Sequence, residues 1–172
     1  RQRQMCIRDS AQTVRRDQLE RMKKLHMIPS FFIAHTYYWG DVHRKQLGKR
    51  AYAISPARTA LGLDLPYTFH QDTPVLPPDM LRTVQCAVTR STETGAVLGR
   101  EECISPLEAL RGVTVNAAYQ YFEEKEKGSI QVGKRADLVV LSANPLKVPA
   151  NEIGKIEVLV TIKEGSVQYR KA

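Results

Sequence analysis

The chain has 172 residues, which is enough for one ordinary domain or for a domain with a small appendage, and its 42% hydrophobic content permits a normal core. It has no apolar run near the ~18 residues that a membrane span needs and no signal-peptide pattern, so we expect no membrane partner. Its three cysteines, Cys6, Cys86 and Cys103, lack the spacing of a zinc knuckle or a disulfide framework. They favour a reducing compartment and a cytoplasmic location.

The net charge of +8 lies entirely in residues 1–50, which hold 12 Lys and Arg against 4 Asp and Glu, while residues 51–172 hold 14 of each. A basic block of this kind can bind nucleic acid. However, much of this charge falls in a helical pattern over residues 15–26, where a solvated outer face explains it equally well. No RNA-binding signature accompanies it, so we expect no nucleic-acid partner.

The first half of the chain alternates between helix and strand patterns. Residues 1–10 show no periodicity, and we set them apart as a tail. The predicted elements that follow are helix 15–26, strand 28–34, a weaker strand 52–54, helix 55–61 beginning at a Ser55 cap, strand 67–69 and helix 79–90. This alternation predicts three adjacent parallel strands with right-handed crossovers, which are too few to close a barrel.

The second half changes from helix to strand at Gly128. Ser105-Pro106-Leu107-Glu108 is a capping box with proline at the first helical position, and it predicts a helix that runs to about Phe122 with Leu107 and Tyr121 in its apolar stripe. After Gly128, residues 137–141 and 158–162 are rich in β-formers, and Glu164-Gly165 predicts a closing hairpin. The last 45 residues therefore predict a small β module.

Metal-capable side chains follow two of the predicted strands. His35 comes after strand 28–34, and His70 and Asp72 come after strand 67–69. The carboxyl ends of parallel strands line the crevice where ligands bind. An imidazole with a carboxylate suits zinc and related divalent ions, and a carboxylate beside a metal-bound water can also take its proton. On the strand pattern alone, Asp72 could equally start a turn and His70 could be a satisfied polar residue.

Residues 105–146 carry a longer set of motifs: SPLEAL at 105–110, TVNAA at 114–118, KGSIQVGKRADLVVL at 127–141 and NPL at 144–146. They resemble the C-terminal signature of the amidohydrolase superfamily, specifically its amidohydrolase-3 branch of YtcJ-like proteins. The similarity extends back through HQDTPV at 70–75 and AVTR at 87–90 to about Ala11. It covers all but the first ten residues and is specific for the superfamily, though not for a substrate.

The resemblance implies an α/β fold in which residues 11–127 are the C-terminal part of a (β/α)8 TIM-type barrel and residues 128–172 are a β-sandwich module. It implies that His35 closes strand six and binds metal. It also implies that Asp72 closes strand eight, binds metal and relays a proton. The implied enzyme is a metal-dependent hydrolase of non-peptide carbon–nitrogen bonds in small molecules, with zinc the expected ion. His70 and Arg90 are our candidates for substrate contact, and we treat His26 and His43 as surface residues.

The chain departs from the family where further metal ligands are expected. The family begins with a His-x-His pair, and Ser10-Ala11-Gln12 stands where a His-Ala-Gln strand ending is expected. We therefore expect an inactive C-terminal fragment of such a hydrolase. The alternatives are a catalytically dead domain of the same fold, kept for binding or assembly, and a basic nucleic-acid-binding module in residues 1–50. The sequence does not indicate the oligomeric state.

Overall fold

The computed structural model of the chain describes residues 10–171. It contains seven helices and five strands in this range, with short 3-10 turns at Gly48–Ala53, Arg100–Glu102 and Ala150–Lys155. The helices are α1 Arg16–Lys24, α2 His35–Tyr38, α3 Gly40–Leu47, α4 Ala57–Gly62, α5 Met80–Thr89, α6 Pro106–Val113 and α7 Val115–Gln120. The strands are β1 Ser30–Phe31, β2 Thr68–Phe69, β3 Leu138–Leu141, β4 Val158–Lys163 and β5 Ser166–Arg170. Within residues 10–171, none of the helices has the length and apolarity that crossing a membrane requires.

Strands β1 and β2 form a parallel pair. Ser30 stands opposite Thr68 and Phe31 opposite Phe69. The His70 amide donates to the Phe31 carbonyl over 3.2 Å, so hydrogen bonding continues to the carboxyl end of both strands. The chain therefore leaves both strands at the same edge, as the sequence predicts for the segments that carry His35 and His70.

Two strand predictions need correction. Residues 52–54 are not a strand: the 3-10 turn Gly48–Ala53 occupies most of this segment, and the carbonyls of Ile54 and Ser55 accept hydrogen bonds from the Arg90 side chain instead of a neighbouring strand. The strand predicted at 28–34 is limited to β1. The backbone turns after Phe31, so His35 is the first residue of α2 rather than the last residue of a strand.

The helix starts and stops follow local chemistry with two exceptions. At α6 the predicted capping box is present, because the Ser105 hydroxyl accepts from the Glu108 amide over 3.3 Å and the Glu108 carboxylate accepts from the Ser105 amide over 2.6 Å. The helix expected to reach Phe122 breaks at Thr114 into α6 and α7, which leaves Leu107 and Tyr121 exposed rather than in a continuous core stripe. Helix α4 has Pro56 as its N-cap, so the predicted Ser55 cap is also wrong.

The core surrounds the parallel pair. Phe31, Phe32 and Ile33 are buried almost completely. They pack in one cluster with buried side chains from α1, α4, α5 and α6, which include Leu19, Ala57, Ala60, Val84, Ala87 and Ala109. Gly112 of α6 allows this helix to lie directly on the Phe69 ring, since a Cβ at position 112 would come within 2.9 Å of that ring. Burial at this density fixes the strand ends that carry the candidate site.

Strands β3, β4 and β5 form a separate antiparallel sheet in that order. Glu164 and Gly165 connect β4 to β5 with positive φ at both positions (50° and 80°), which matches the two-residue hairpin turn predicted by the sequence. The Asp137 carboxylate accepts from the Lys163 ammonium over 2.7 Å and from the Glu164 amide over 2.9 Å. The 3-10 turn Ala150–Lys155 joins this region to α5, where the Gly154 amide donates to the Gln85 side chain over 2.7 Å.

Candidate metal site

The candidate site lies beyond the carboxyl ends of β1 and β2. After β1, the chain makes a tight turn through which the His35 amide donates to the Phe32 carbonyl over 3.1 Å. After β2, the chain passes through His70 and Gln71 to Asp72, which has a φ of +52° and an exposed side chain. Gln71 is buried between them and donates from its amide nitrogen to the Asp79 carbonyl and the Thr83 hydroxyl. These bonds fix the 70–72 segment against the start of α5.

His35 interacts electrostatically with the other candidates. Its pKa is lowered to about 4, mainly by burial and also by the imidazoles of His43 and His70, while the Asp72 carboxylate acts in the opposite direction. A lowered pKa keeps the imidazole neutral near pH 7, which is the form that binds a metal ion. His35 thus lies within electrostatic range of His70 and Asp72, and their joint role at a metal site stays a prediction.

Aromatic rings surround the His35 imidazole. The Phe32 ring meets it edge-on with centroids 4.4 Å apart, and the Trp39 ring lies 4.6 Å away. Phe32 also lies 5.5 Å from the His70 ring, so one phenyl group separates part of both imidazoles from solvent. The His70 Nδ1 atom is 2.8 Å from the Ser30 hydroxyl of β1. This apolar enclosure explains why burial is the main cause of the shifted pKa of His35.

His43 is the site residue that the sequence reasoning missed. Its Nε2 atom is 3.3 Å from His35 Nδ1 and 2.9 Å from Gln12 Nε2, and burial lowers the pKa of His43. Its assignment to the surface is therefore wrong. The signal was present as a helical spacing: the Trp39 amide donates to the His35 carbonyl and the His43 amide to the Trp39 carbonyl, so residues 35, 39 and 43 stack on one helical face.

The donor types at this edge fit a divalent ion, but their number is small. A neutral imidazole at His35 and a carboxylate at Asp72 are ligands that zinc accepts. Among residues 10–171, no group of three or more His, Cys, Asp or Glu side chains is arranged to hold a metal ion. A catalytic zinc usually has three protein ligands, so the described residues fit as contributors to a metal site rather than as a complete one.

Arg90 occupies a different environment from the other candidates. It is the C-cap of α5 with left-handed backbone geometry, and its side chain is fully buried. The guanidinium donates to the carbonyls of Leu98 (2.6 Å), Ile54 (2.8 Å) and Ser55 (3.2 Å). Burial lowers its pKa to about 10. In this geometry Arg90 ties the end of α5 to two loop segments, one at Ile54 and Ser55 and the other at Leu98, and substrate contact by Arg90 stays a prediction.

The amidohydrolase family matches residues 2–169 of the chain. The match begins within the first ten residues, which the sequence pattern sets apart as a tail, although residues 1–9 lie outside the described part of the structure. The chain is 31% identical over 135 residues to N-substituted formamide deformylase of Arthrobacter pascens, a match that covers 77% of this chain and 25% of that relative. It is also 31% identical over 104 residues to the amidohydrolase YtcJ of Bacillus subtilis strain 168, covering 59% of this chain and 20% of the relative.

A solved structure shows the same fold. The structure of an uncharacterised metal-dependent hydrolase from Pyrococcus horikoshii OT3 superposes with a TM-score of 0.71 and 26% identity, covering 83% of this chain and 29% of that chain. The match thus spans between a fifth and a third of the length of these three proteins.

Proposed function

The chain belongs to the amidohydrolase family, and on this premise we propose that it serves a metal-dependent hydrolase that cleaves a non-peptide, amide-type carbon–nitrogen bond in a small molecule. One observation carries the proposal. At the shared edge of a parallel strand pair, a half-buried imidazole kept neutral by its surroundings lies within electrostatic reach of the exposed Asp72 carboxylate. This pairing supplies both a metal donor and a proton acceptor.

The architecture that we propose follows the same family. Residues 11–127 would be the C-terminal part of a (β/α)8 TIM-type barrel, with β1 and β2 among its strands, and residues 128–172 would be a small β-sandwich module. Two strands fall far short of a closed barrel, and the much greater length of the relatives supports a larger whole. With only two donors proposed among residues 10–171, we propose that these 172 residues are inactive alone.

The proposed site residues have distinct tasks. His35 and Asp72 would hold a divalent ion, and zinc suits this mixture of nitrogen and oxygen donors. When bound, such an ion polarises the substrate carbonyl and makes water acidic enough to attack near neutral pH. The Asp72 carboxylate would accept the proton of the attacking water and pass it to the nitrogen of the leaving amine. His70, beside Asp72, and Arg90 remain our candidates for substrate contact.

Other parts of the proposal concern partners and location. We propose a small-molecule substrate and no nucleic-acid or membrane partner. The basic side chains of α1 are exposed to solvent. At its start, Arg15 pairs with Asp17 and Arg16 pairs with Glu20. This supports an ordinary solvated helix face rather than a nucleic-acid surface. A cytoplasmic location remains part of the proposal.

Metal removal tests the proposed function. The natural full-length protein that carries these residues would be assayed against a panel of N-substituted formamides and other N-acyl amines, before and after treatment with a chelator. We expect at least one member of the panel to be hydrolysed, the activity to be lost on chelation, and resupplied Zn²⁺ or Co²⁺ to restore it. Hydrolysis that survives complete metal removal would contradict the metal-dependent role. A full-length protein that binds metal but hydrolyses no member of the panel would favour the binding or assembly alternative.

A further inference from the structure

One nitrogen atom links three side chains at the candidate site. His43 Nε2 lies 2.9 Å from the side-chain nitrogen of Gln12 and 3.3 Å from Nδ1 of His35. The backbone holds this arrangement from both sides. The Gln12 carbonyl accepts from the Ser55 amide over 2.6 Å, and consecutive helical hydrogen bonds connect residues 35, 39 and 43. The contact therefore joins the segment before α1 to the helical stack after β1.

Hydrogen-bond valence then decides where the ring protons lie. An amide nitrogen can only donate, so with the Gln12 nitrogen facing His43, the Nε2 atom of His43 must accept and its ring proton must be on Nδ1. The same Nε2 lone pair faces Nδ1 of His35. Two acceptors cannot form this contact, so Nδ1 of His35 must carry a hydrogen. In neutral His35, the remaining nitrogen, Nε2, is then left as an unprotonated lone pair.

We propose that the Gln12–His43 pair fixes the tautomer of His35, so that His35 presents an unprotonated Nε2 to a metal ion. His43 is then a positioning residue that acts through His35. Metal-binding histidines commonly donate their second ring N–H to a protein acceptor, which sets both the tautomer and the ring orientation. The tautomer assignment depends only on the hydrogen bonds described above. Its value for metal binding rests on the proposed function.

The surroundings of His35 give the arrangement its rigidity. The Phe32 and Trp39 rings pack against the imidazole, so a ring flip that exchanges Nδ1 with Cδ2 and Nε2 with Cε1 would disturb both contacts. The 3.3 Å separation from His43 is at the long end for a nitrogen–nitrogen hydrogen bond, as expected when one lone pair serves two donors. Without such a partner, a solvated imidazole favours a proton on Nε2, which would block this atom as a ligand.

Nitrogen-15 spectroscopy of the ring nitrogens tests the tautomers directly in the metal-free chain. The chain has four histidines, so a histidine-labelled sample and single His→Gln variants suffice to assign the long-range proton–nitrogen correlations. We expect neutral His35 and neutral His43 both to carry their proton on Nδ1, while the exposed His26 shows the solvated pattern. A proton on Nε2 of His35 or of His43 in the wild-type chain overturns the proposal, and would mean that the Gln12 amide faces His43 with its oxygen.

A charge-matched pair of variants tests the dependence on Gln12. In Gln12→Glu, the carboxylate can only accept, so His43 must donate to it from Nε2 and can no longer accept from His35. We expect the His35 proton to move to Nε2. Gln46→Glu adds the same charge at an exposed position of α3 and should leave both tautomers unchanged. Unchanged tautomers in Gln12→Glu would overturn the link to Gln12.

Cobalt binding separates this inference from the proposed function. With Co²⁺ as the probe and the natural full-length protein, we expect His43→Phe to lower affinity by about 10–100-fold, as the loss of a partner behind a metal ligand typically does, with an unchanged circular dichroism spectrum. His43→Gln keeps an acceptor near the Nε2 position and should recover most of the affinity, and His26→Phe is the control. Wild-type affinity in His43→Phe would overturn the proposal. Correct tautomers in a wild-type protein that binds no Co²⁺ would leave the hydrogen-bond assignment standing and count against the metal-dependent function.

Discussion

The region around the parallel pair and the region of the antiparallel sheet differ in how far their side chains are buried. Around β1 and β2, successive side chains from Phe31 to Ala34 are buried in one cluster with residues from the surrounding helices, strands and loops. In β3, β4 and β5, each strand pair has one register shift, none of the strand residues is fully buried and every residue of β5 is exposed. The sheet is fixed by local hairpin chemistry, whereas the parallel pair is fixed by packing from distant parts of the chain. The candidate site lies in the tightly packed region around β1 and β2.

The largest expected effect is a fall in turnover rate caused by a substitution at the candidate site beside the parallel pair. Asp72→Asn keeps the size of the side chain but removes its charge and its capacity to accept a proton. In the natural full-length protein we expect the turnover rate to fall by about 10²–10⁴-fold, the usual worth of general acid–base catalysis. Asp137→Asn is the matched change in the sheet region, where Asp137 pairs with Lys163, and it should leave turnover nearly unchanged. If Asp72→Asn regains the wild-type rate in excess metal, Asp72 is a ligand at most.

Truncation of an isoleucine to alanine should lower the free energy of unfolding much more in the region around the parallel pair than in the region of the antiparallel sheet. Ile33 is fully buried and Ile130 is 88% exposed, so the same change to alanine samples both environments. We expect Ile33→Ala to lower the free energy of unfolding by about 2–5 kcal/mol through lost burial and a cavity. Ile130→Ala should change it by less than about 0.5 kcal/mol. Denaturant unfolding of the chain measures both values, and equal effects would remove the contrast between the regions.

Replacing a buried and an exposed arginine compares the stability of the two regions at charged positions. Arg90→Met removes a buried guanidinium and leaves the carbonyls of Ile54, Ser55 and Leu98 without their donor. We expect a loss of about 2–4 kcal/mol in the free energy of unfolding. Arg135→Met breaks ion pairs with Glu126 and Glu164 on the exposed side and should change stability little. Full stability of Arg90→Met, with a raised KM in the full-length protein, would favour the substrate-binding role instead.

The sequence predicted those features that depend on neighbouring residues. The capping box at Ser105 and the Glu164-Gly165 hairpin are both written in short motifs, and each is present. The parallel pairing of the strands before His35 and His70 also follows from local alternation. The capping box and the hairpin could be predicted because the interactions that create them lie within a few residues of each other.

The features that escaped prediction depend on contacts between distant residues. Tyr52–Ile54 has the composition of a strand, but the carbonyls of Ile54 and Ser55 accept hydrogen bonds from the guanidinium of Arg90, which is 35 or more residues away. His43 resembles a surface histidine until the turn after β1 starts a helical stack that places it against His35 and Gln12. Hydrophobic periodicity reports which face of an element is buried and does not identify the polar groups that meet across it.

The central claim is that His35 and Asp72 hold a metal ion together, and a Co²⁺ titration of the natural full-length protein tests it most directly. The account predicts a stoichiometric site whose visible absorption reports nitrogen and oxygen ligands. It also predicts that His35→Ala and Asp72→Asn each weaken Co²⁺ binding by at least about tenfold, because each removes or neutralises a donor, while His26→Ala binds as the wild type does. Wild-type Co²⁺ affinity in both His35→Ala and Asp72→Asn would contradict it.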